Sequence, residues 1–139
     1  MGATVFLQGR THRAGAQTCL MRLLRHKAMR QWNPILICSA PGWLTRECER
    51  ENIPVICVPF PKSRSLFGRL FGNARFARRV AAKLQVASVQ AVKIVHANDH
   101  IESLLGLTLA KRLNVQSAVF LRSPGMTWRD YFKYRCNEY

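Results

Sequence analysis

Residues suited to chemistry lie in three short polar stretches, each of which follows an apolar run. The first stretch combines Gly9 and Gly15 with the basic side chains of Arg10, His12 and Arg13. Glycines and cations before a helix are typical of an anion site, because the free amides and the dipole of a helix N-terminus favour negative charge. The stretch matches neither G-x-G-x-x-G nor a P-loop, so it predicts phosphate binding without a dinucleotide fingerprint or ATP hydrolysis. An ordinary strand-to-helix turn is the alternative.

The second stretch begins at His96 and contains Asn98, Asp99 and His100. His96 could hydrogen-bond a substrate hydroxyl or transfer a proton. A metal site is the less favoured alternative, since two histidines four residues apart suit one helix face and His96 is expected on a strand. Asp99 also fits a helix N-cap, with Glu102 at the capping-box position. The stretch therefore predicts a loop that contacts substrate and holds no metal.

The third stretch starts with Arg122 and Ser123, at the end of another apolar run. A guanidinium at a strand end suits a phosphate or a carboxylate, because its planar fork donates two hydrogen bonds. A surface salt bridge, for instance to Asp130, is the alternative.

Five apolar runs alternating with helical patterns must position these stretches. The runs cover residues 3–7, 35–38, 55–58, 93–96 and 117–121, and the helical patterns cover 16–30, 44–51, 65–85, 101–113 and a last segment from 128. This alternation predicts an α/β fold, a doubly wound, Rossmann-like parallel sheet with helices on both faces and strand order 3-2-1-4-5. In that order the chain reverses between strands 1 and 4, and ligands bind outside the carboxyl ends of the strands there. The three polar stretches are therefore expected at one edge of the sheet.

The net charge of the chain indicates which classes of partner it binds. Its 139 residues predict one domain, and a hydrophobic content of 48% excludes a disordered chain. The net charge of +15 indicates a phosphate-rich ligand, an anionic membrane surface or nucleic acid, with a merely solvated basic surface as the alternative. Specific nucleic-acid binding is not favoured, because no zinc finger, RNP-type motif or helix-turn-helix is recognisable.

The helical pattern over residues 65–85 combines aromatic and basic side chains. A helix of this kind can lie on an anionic membrane, and the alternative is an outer helix that packs its apolar face on the sheet. We expect the apolar face to pack and leave open whether the charged face meets a membrane. A break or kink is expected near Gly68, Gly72 and Asn73. The residues concerned are Phe67, Phe71, Phe76, Arg64, Arg69, Arg75, Arg78, Arg79 and Lys83.

Two further features concern the compartment. No apolar run approaches the roughly 18–20 residues of a membrane span, and the N-terminus does not resemble a signal peptide, so a cytoplasmic protein is expected, with the inner membrane face as a further option. The cysteines are odd in number and lack C-x-x-C spacing, which predicts free, mostly buried thiols. They are Cys19, Cys38, Cys48, Cys57 and Cys136.

Four segments follow the first apolar run in a definite order. They read RAGAQ at 13–17, PVICVP at 54–59, IVHAND at 94–99 and AKRLNVQSAVF at 110–120. In this order they resemble the N-terminal half of a GT-B-fold retaining glycosyltransferase of the family 4-like group. That group usually has Gly-Gly-Ala-Glu at the first segment and a D-x-V-H-a-H-d pattern at the third. The resemblance covers the whole chain.

The resemblance implies that this half binds the acceptor and that a second Rossmann-like half binds a nucleotide-sugar donor, with no metal and no tightly bound cofactor. The loops and the resemblance together place catalytic roles at His96, Asp99 and Arg122. Arg122 stands where many relatives carry a histidine, and a guanidinium can hold phosphate or stabilise charge but cannot act as a base near neutral pH. Substrate or phosphate binding is expected at Gly9, Arg10, His12, Arg13, Gly15, Ala16, Asn98, His100 and Ser123.

The expected function is the acceptor-binding half of a glycosyltransferase in polysaccharide biosynthesis, acting on a lipid-linked or anionic glycan at the membrane. We expect residues 1–139 to be one incomplete domain that needs a C-terminal domain or partner subunit and is inactive alone. One alternative is half of a nucleotide-sugar epimerase of the same fold. Another is a basic nucleic-acid-binding module. A flavodoxin-like signalling domain is disfavoured, because the acidic cluster it needs near the first strand is absent.

Overall fold

A five-stranded parallel sheet forms the centre of the protein. The computed structural model describes residues 2–62, 66–89, 91–121 and 129. The strand order within them is β3-β2-β1-β4-β5, and every pairing is parallel. The predicted fold class and strand order are therefore confirmed. The strands are β1 (Ala3–Gln8), β2 (Pro34–Cys38), β3 (Val55–Cys57), β4 (Val92–Ala97) and β5 (Gln116–Val119).

Helices connect the strands and cover both faces of the sheet. A short 3-10 helix, His100–Glu102, precedes the last of them. The predicted helical segment from residue 128 lies outside the described residues apart from Arg129. The helices are α1 (Gly15–Arg25), α2 (Lys27–Arg30), α3 (Trp43–Arg50), α4 (Leu66–Val86) and α5 (Ser103–Leu113).

The central strand β1 divides the core into two layers. Val5 and Leu7 pack with α4 and α5 in one layer, whereas Phe6 packs with α1 and α3 in the other. Successive side chains of a strand point to opposite faces, so an entirely apolar run needs cover on both. Each large side chain buried in this way contributes roughly 1.5–3 kcal/mol. Burial on both faces suits β1 to the centre of the sheet, where it lies between β2 and β4.

Two predicted helices differ in the structure. The single helix expected over residues 16–30 is two helices, because His26 adopts an extended backbone and its ring Nδ1 accepts a hydrogen bond from the Ala28 amide. The break expected in α4 is wrong, since the helix is continuous through Gly68 and Gly72. At Gly72 a Cβ would lie 2.9 Å from the Cβ of Pro61. This glycine therefore allows a close approach to the preceding loop.

The apolar face of α4 packs on the sheet over only part of its length. Phe76, Ala77, Val80 and Leu84 are buried, as expected. Near the other end, Phe67 is 74% exposed, Phe71 is 75% exposed and Leu70 is also exposed. The expectation that the whole apolar face packs is wrong for this first part, whose large apolar side chains are exposed.

The predicted burial of the thiols is confirmed for Cys38 and Cys48, while Cys57 is half-buried. It is wrong for Cys19, which lies on the outer side of α1 and is exposed. Burial raises the pKa of the Cys48 thiol to about 12, so this thiol stays protonated. Cys136 lies outside the described residues. None of the described helices has the length and apolar character needed to cross a membrane.

Candidate functional site

The loops that follow β1 and β4 meet at the carboxyl edge of the sheet, and Asn98 joins them. Its backbone amide donates to Leu7 O at 3.0 Å. Its side-chain Nδ2 donates to Ala16 O at 3.2 Å and to the side-chain oxygen of Gln8. Asn98 is 0% exposed. Its expected role as a substrate contact does not fit this burial, and the residue instead fixes the two loops to each other.

The N-terminus of α1 is open at this edge. Ala14 is the N-cap and has an extended backbone, no side chain of the described residues caps the helix, and its first turn contains no acidic residue. Nothing lies within 4 Å of a Cβ built on the exposed Gly15. The first helical amides are therefore free to bind an anion, which the helix dipole favours.

Three basic side chains surround this open end. Arg10, His12 and Arg13 are exposed, as expected for residues that meet a ligand. The Arg13 guanidinium lies 5.7 Å from the centroid of the Trp43 ring, within the range of a cation–π contact. The Leu44 amide of α3 donates to the backbone oxygen of Thr11 at 2.9 Å, so α3 supports the loop from below.

Sequence reasoning missed Glu102 as a site residue. The capping-box expectation is wrong, because its carboxyl reaches across to the first loop, where Oε1 accepts from the Gly9 amide at 3.1 Å. Asp99 is the N-cap of the 3-10 helix as expected, accepting from the His100 amide at 2.7 Å. Glu102 is 6% exposed, and burial is the main cause that raises its pKa to about 7.

The other contributions to this pKa come from both loops. The nearby Asp99 carboxylate raises it further, whereas the hydrogen bond from the Gly9 amide and the charge of Arg10 lower it. Glu102 Oε2 is buried without a hydrogen-bond partner among the described residues. Gln17 is similar, since its Nε2 donates to Arg10 O at 3.2 Å while its Oε1 is buried and unpartnered.

His96 lies on β4, as expected. Its half-buried ring lies between Phe6, at a centroid distance of 5.1 Å, and Phe120, at 4.3 Å. His100 lies beside Asp99, with 2.6 Å between its Nδ1 and the carboxylate oxygen. No group of three or more metal-ligating side chains is found within the described ranges.

The expected residues therefore separate into distinct groups. Gly9, Arg10 and the α1 N-terminus lie together with Asn98 and Glu102 at one edge. His96 is packed between aromatic rings, and Asp99 and His100 form a pair on the neighbouring loop. Arg122 and Ser123 lie outside the described residues.

A cavity of about 590 Å³ lies at the opposite edge of the sheet. Its lining includes Ala3, Pro34 and Pro54, which begin or precede β1, β2 and β3. In doubly wound sheets ligands bind outside the carboxyl ends of the strands, and this cavity is at their amino ends. The α1 N-terminus, which lies at the carboxyl edge of the sheet, is therefore the better candidate.

A sheet of this order, with an open helix N-terminus at its switch point, is a Rossmann-like domain, and solved GT-B glycosyltransferases share its fold. A structure of Anabaena Alr3699/HepE in complex with UDP-glucose matches with a TM-score of 0.67 at 15% identity, over 95% of this chain and 33% of that one. A glycosyltransferase from Rickettsia africae ESF-5 matches with a TM-score of 0.66 at 18% identity, over 96% of this chain and 33% of that one. Acinetobacter baumannii MurG matches with a TM-score of 0.60 at 11% identity, over 97% of this chain and 38% of that one.

These similarities are at the level of the fold. The chain spans about a third of the length of the matched structures. No protein-family model matches the sequence, and no curated protein sequence matches it significantly. The predicted GT-B type of Rossmann-like fold is confirmed, and the narrower family 4-like assignment stays a prediction.

Proposed function

We propose that this chain is the acceptor-side half of a nucleotide-sugar-dependent glycosyltransferase. The observation that carries the proposal is the open, cationic N-terminus of α1 at the switch point of a GT-B-type sheet. Nucleotide sugars contain a diphosphate, and free helix amides together with arginines bind such groups. One protein of the same fold was solved with UDP-glucose.

In this proposal the first loop holds the phosphates. The amides at Gly15 and Ala16 point at the anion, and Arg10, His12 and Arg13 neutralise its charge. The Asp99–His100 pair lies on the next loop and orients a hydroxyl of the acceptor or transfers its proton. His96 supports this loop from the strand. Arg122 is proposed to hold a phosphate or stabilise charge, and Ser123 is proposed to bind substrate or phosphate.

A second Rossmann-like half is proposed to bind the rest of the nucleotide-sugar donor, either in a longer form of this protein or in a partner subunit. The matched structures support this, since each is about three times as long as the chain. The chain alone then provides only one wall of the catalytic cleft and is expected to be inactive.

The acceptor is proposed to be a lipid-linked or anionic glycan at an anionic membrane surface. Phe67 and Phe71 are one helical turn apart and almost fully exposed, and Leu70 lies beside them. Exposed Arg75 and Arg78 follow on the same helix. Apolar side chains that enter the lipid interface, with basic residues worth about 1 kcal/mol each near anionic lipid, are typical of such surfaces.

The test is an assay of sugar transfer from labelled UDP-glucose to a lipid extract. It compares the 139-residue chain with the complete product of the reading frame that encodes it. Transfer is expected only from a longer product or a reconstituted pair, and Arg13→Ala is expected to reduce it. Arg112→Ala, an exposed position at the far end of α5, is the matched control.

Three results would point elsewhere. Transfer by the 139-residue chain alone would contradict the assignment as a half-site. Release of a sugar epimer without an acceptor would favour the epimerase alternative. Salt-sensitive binding of RNA or DNA with a base preference would favour a nucleic-acid module.

A further inference from the structure

Both backbone polar groups of Gly9 are held by side chains from other parts of the sheet. Its amide donates to Glu102 Oε1 at 3.1 Å, and its carbonyl accepts a hydrogen bond from the Ser39 hydroxyl. Ser39 follows β2, and Glu102 ends the 3-10 helix after β4. Because β2 and β4 flank β1, the turn at Gly9 is held from both sides.

Gly9 has little room to move within these contacts. A Cβ at this position would lie 3.1 Å from Glu102 Oε1 and 3.1 Å from the ring of Phe60. The next residue is tied to the helix, since Gln17 Nε2 donates to Arg10 O. If the Glu102 carboxyl moves, Gly9 and Arg10 must therefore move with it, and the hydrogen bond from Gln17 couples Arg10 to the first turn of α1.

The Glu102 carboxyl is buried, and within the part of the chain that the structure describes only one of its oxygens is paired. The charged groups that act on it are Asp99, which is paired with His100 on the same loop, and Arg10 from the first loop. Ser39, after β2, and Phe60, after β3, also lie beside Gly9, and neither side chain carries a charge. Burial without a partner for Oε2 favours the neutral acid, because the ionised form would need a new hydrogen-bond donor.

We propose that Glu102 is a positioning residue whose proton sets the position of the Gly9 turn and, through it, the affinity of the first loop for an anion. The inference rests on the anion site of the proposed function. The neutral carboxyl holds the Gly9 amide without adding charge. The ionised carboxylate places negative charge beneath a loop that binds a negative ligand, and its unpaired oxygen competes for the Arg10 guanidinium.

The change falls near neutrality, because burial raises the pKa of Glu102 to about 7. By reciprocity a bound anion raises this pKa further, so binding takes up a proton. Anion affinity is therefore expected to fall as the pH rises through neutrality.

The test uses the 139-residue chain labelled with ¹⁵N-glycine and sodium sulfate as the probe, since sulfate keeps the same charge from about pH 5.5 to about pH 8.5. Glu102→Gln keeps an oxygen that accepts from Gly9 but cannot ionise. Glu49→Gln removes the same charge from an exposed position on α3 and is the matched control. The readouts are the Gly9 amide resonance against pH and the sulfate dissociation constant from the Gly15 amide.

We expect the Gly9 resonance to titrate near pH 7 in the unmodified chain and in Glu49→Gln, and to stay constant in Glu102→Gln. Sulfate should bind roughly threefold more weakly at the upper pH than at the lower one, beyond the change seen in Glu102→Gln. Comparison of the unmodified chain with Glu102→Gln removes the contribution of every other group, because the two proteins share all of them.

A Gly9 resonance that is independent of pH in the unmodified chain would overturn the inference, and this measurement needs no variant. A pH dependence of sulfate affinity that survives Glu102→Gln unchanged would overturn it as well. Absence of any sulfate-induced shift at Gly15 would instead refute the anion site of the proposed function, while the Gly9 titration would still decide whether Glu102 positions the turn.

Discussion

The two loops of the crevice use polar residues in opposite ways. The loop after β1 turns Arg10, His12 and Arg13 outward and leaves the α1 N-terminus uncapped. The loop after β4 turns Asn98 and Glu102 inward, where they bond the first loop. Charged groups kept in water can meet a ligand, whereas a buried polar group must be paired or lose stability. In the proposed function the first loop therefore recognises the ligand, and the second loop positions the first.

The largest expected effect comes from removing the inward-facing amide. Asn98→Ala removes the side-chain amide that donates to Ala16 O and to the buried Gln8 side chain, so we expect a loss of about 2–4 kcal/mol in the free energy of unfolding. Urea denaturation measures it. A loss below about 0.5 kcal/mol would show that the second loop does not position the first.

The next effect depends on pH. The pKa of Glu102 is about 7 in the folded protein and about 4.3 in an unfolded chain, so the neutral acid stabilises the fold fully below about pH 4. This contribution is lost as the pH rises through about 7, and the loss amounts to about 3–4 kcal/mol. Denaturation curves at several pH values should show the loss in the unmodified chain and not in Glu102→Gln. An equal loss in both would mean that another group is responsible.

A smaller effect is expected where the two loops touch. Gly9→Ala brings a methyl group to 3.1 Å from both Glu102 Oε1 and the Phe60 ring. The neighbours must yield by a few tenths of an ångström, at a cost of about 1–2 kcal/mol. Gly15→Ala is the control, because nothing lies near that position and the helix prefers alanine. Equal thermal midpoints for the two variants would contradict the close contact.

The smallest effect on stability is expected on the outward-facing side. Arg13→Ala removes an exposed side chain and its contact with Trp43, and should change the free energy of unfolding by about 0.5 kcal/mol or less. Sulfate binding at Gly15 should nevertheless weaken by roughly threefold. A variant that is destabilised as strongly as Asn98→Ala would remove the distinction between the loops.

The fold could be predicted from the sequence because its signal repeats along the chain. Five apolar runs between helical patterns leave few arrangements other than a doubly wound sheet, and the switch point follows from the strand order. The predicted helices were wrong at single residues whose contacts do not follow from the spacing of apolar residues. His26 caps α2 with its own ring, and Gly72 lies against Pro61.

The candidate site could be predicted in its outward-facing half only. Clustered glycines and cations before a helix are a local pattern, so Arg10, Arg13 and Gly15 were recognisable. Glu102 was not, because its partner Gly9 is 93 residues away along the chain. One feature of the sequence did point to these contacts, since Gln8 and Glu102 are polar residues directly beside apolar segments. Whether such a side chain caps its own helix or bonds a loop from another strand is decided only by the tertiary structure.

The central position of β1 has a consequence for how the chain acquires its structure. Ala3–Gln8 pairs on one side with Pro34–Cys38 but on the other with Val92–Ala97. During synthesis the first partner emerges early, and the second follows only after more than half of the chain. Until then one side of this fully buried strand stays open, and long-range parallel pairing of this kind is slow. The tendency of the nascent chain to aggregate therefore depends on how soon β4 is synthesised and pairs with β1, and hence on the rate of translation and on chaperones.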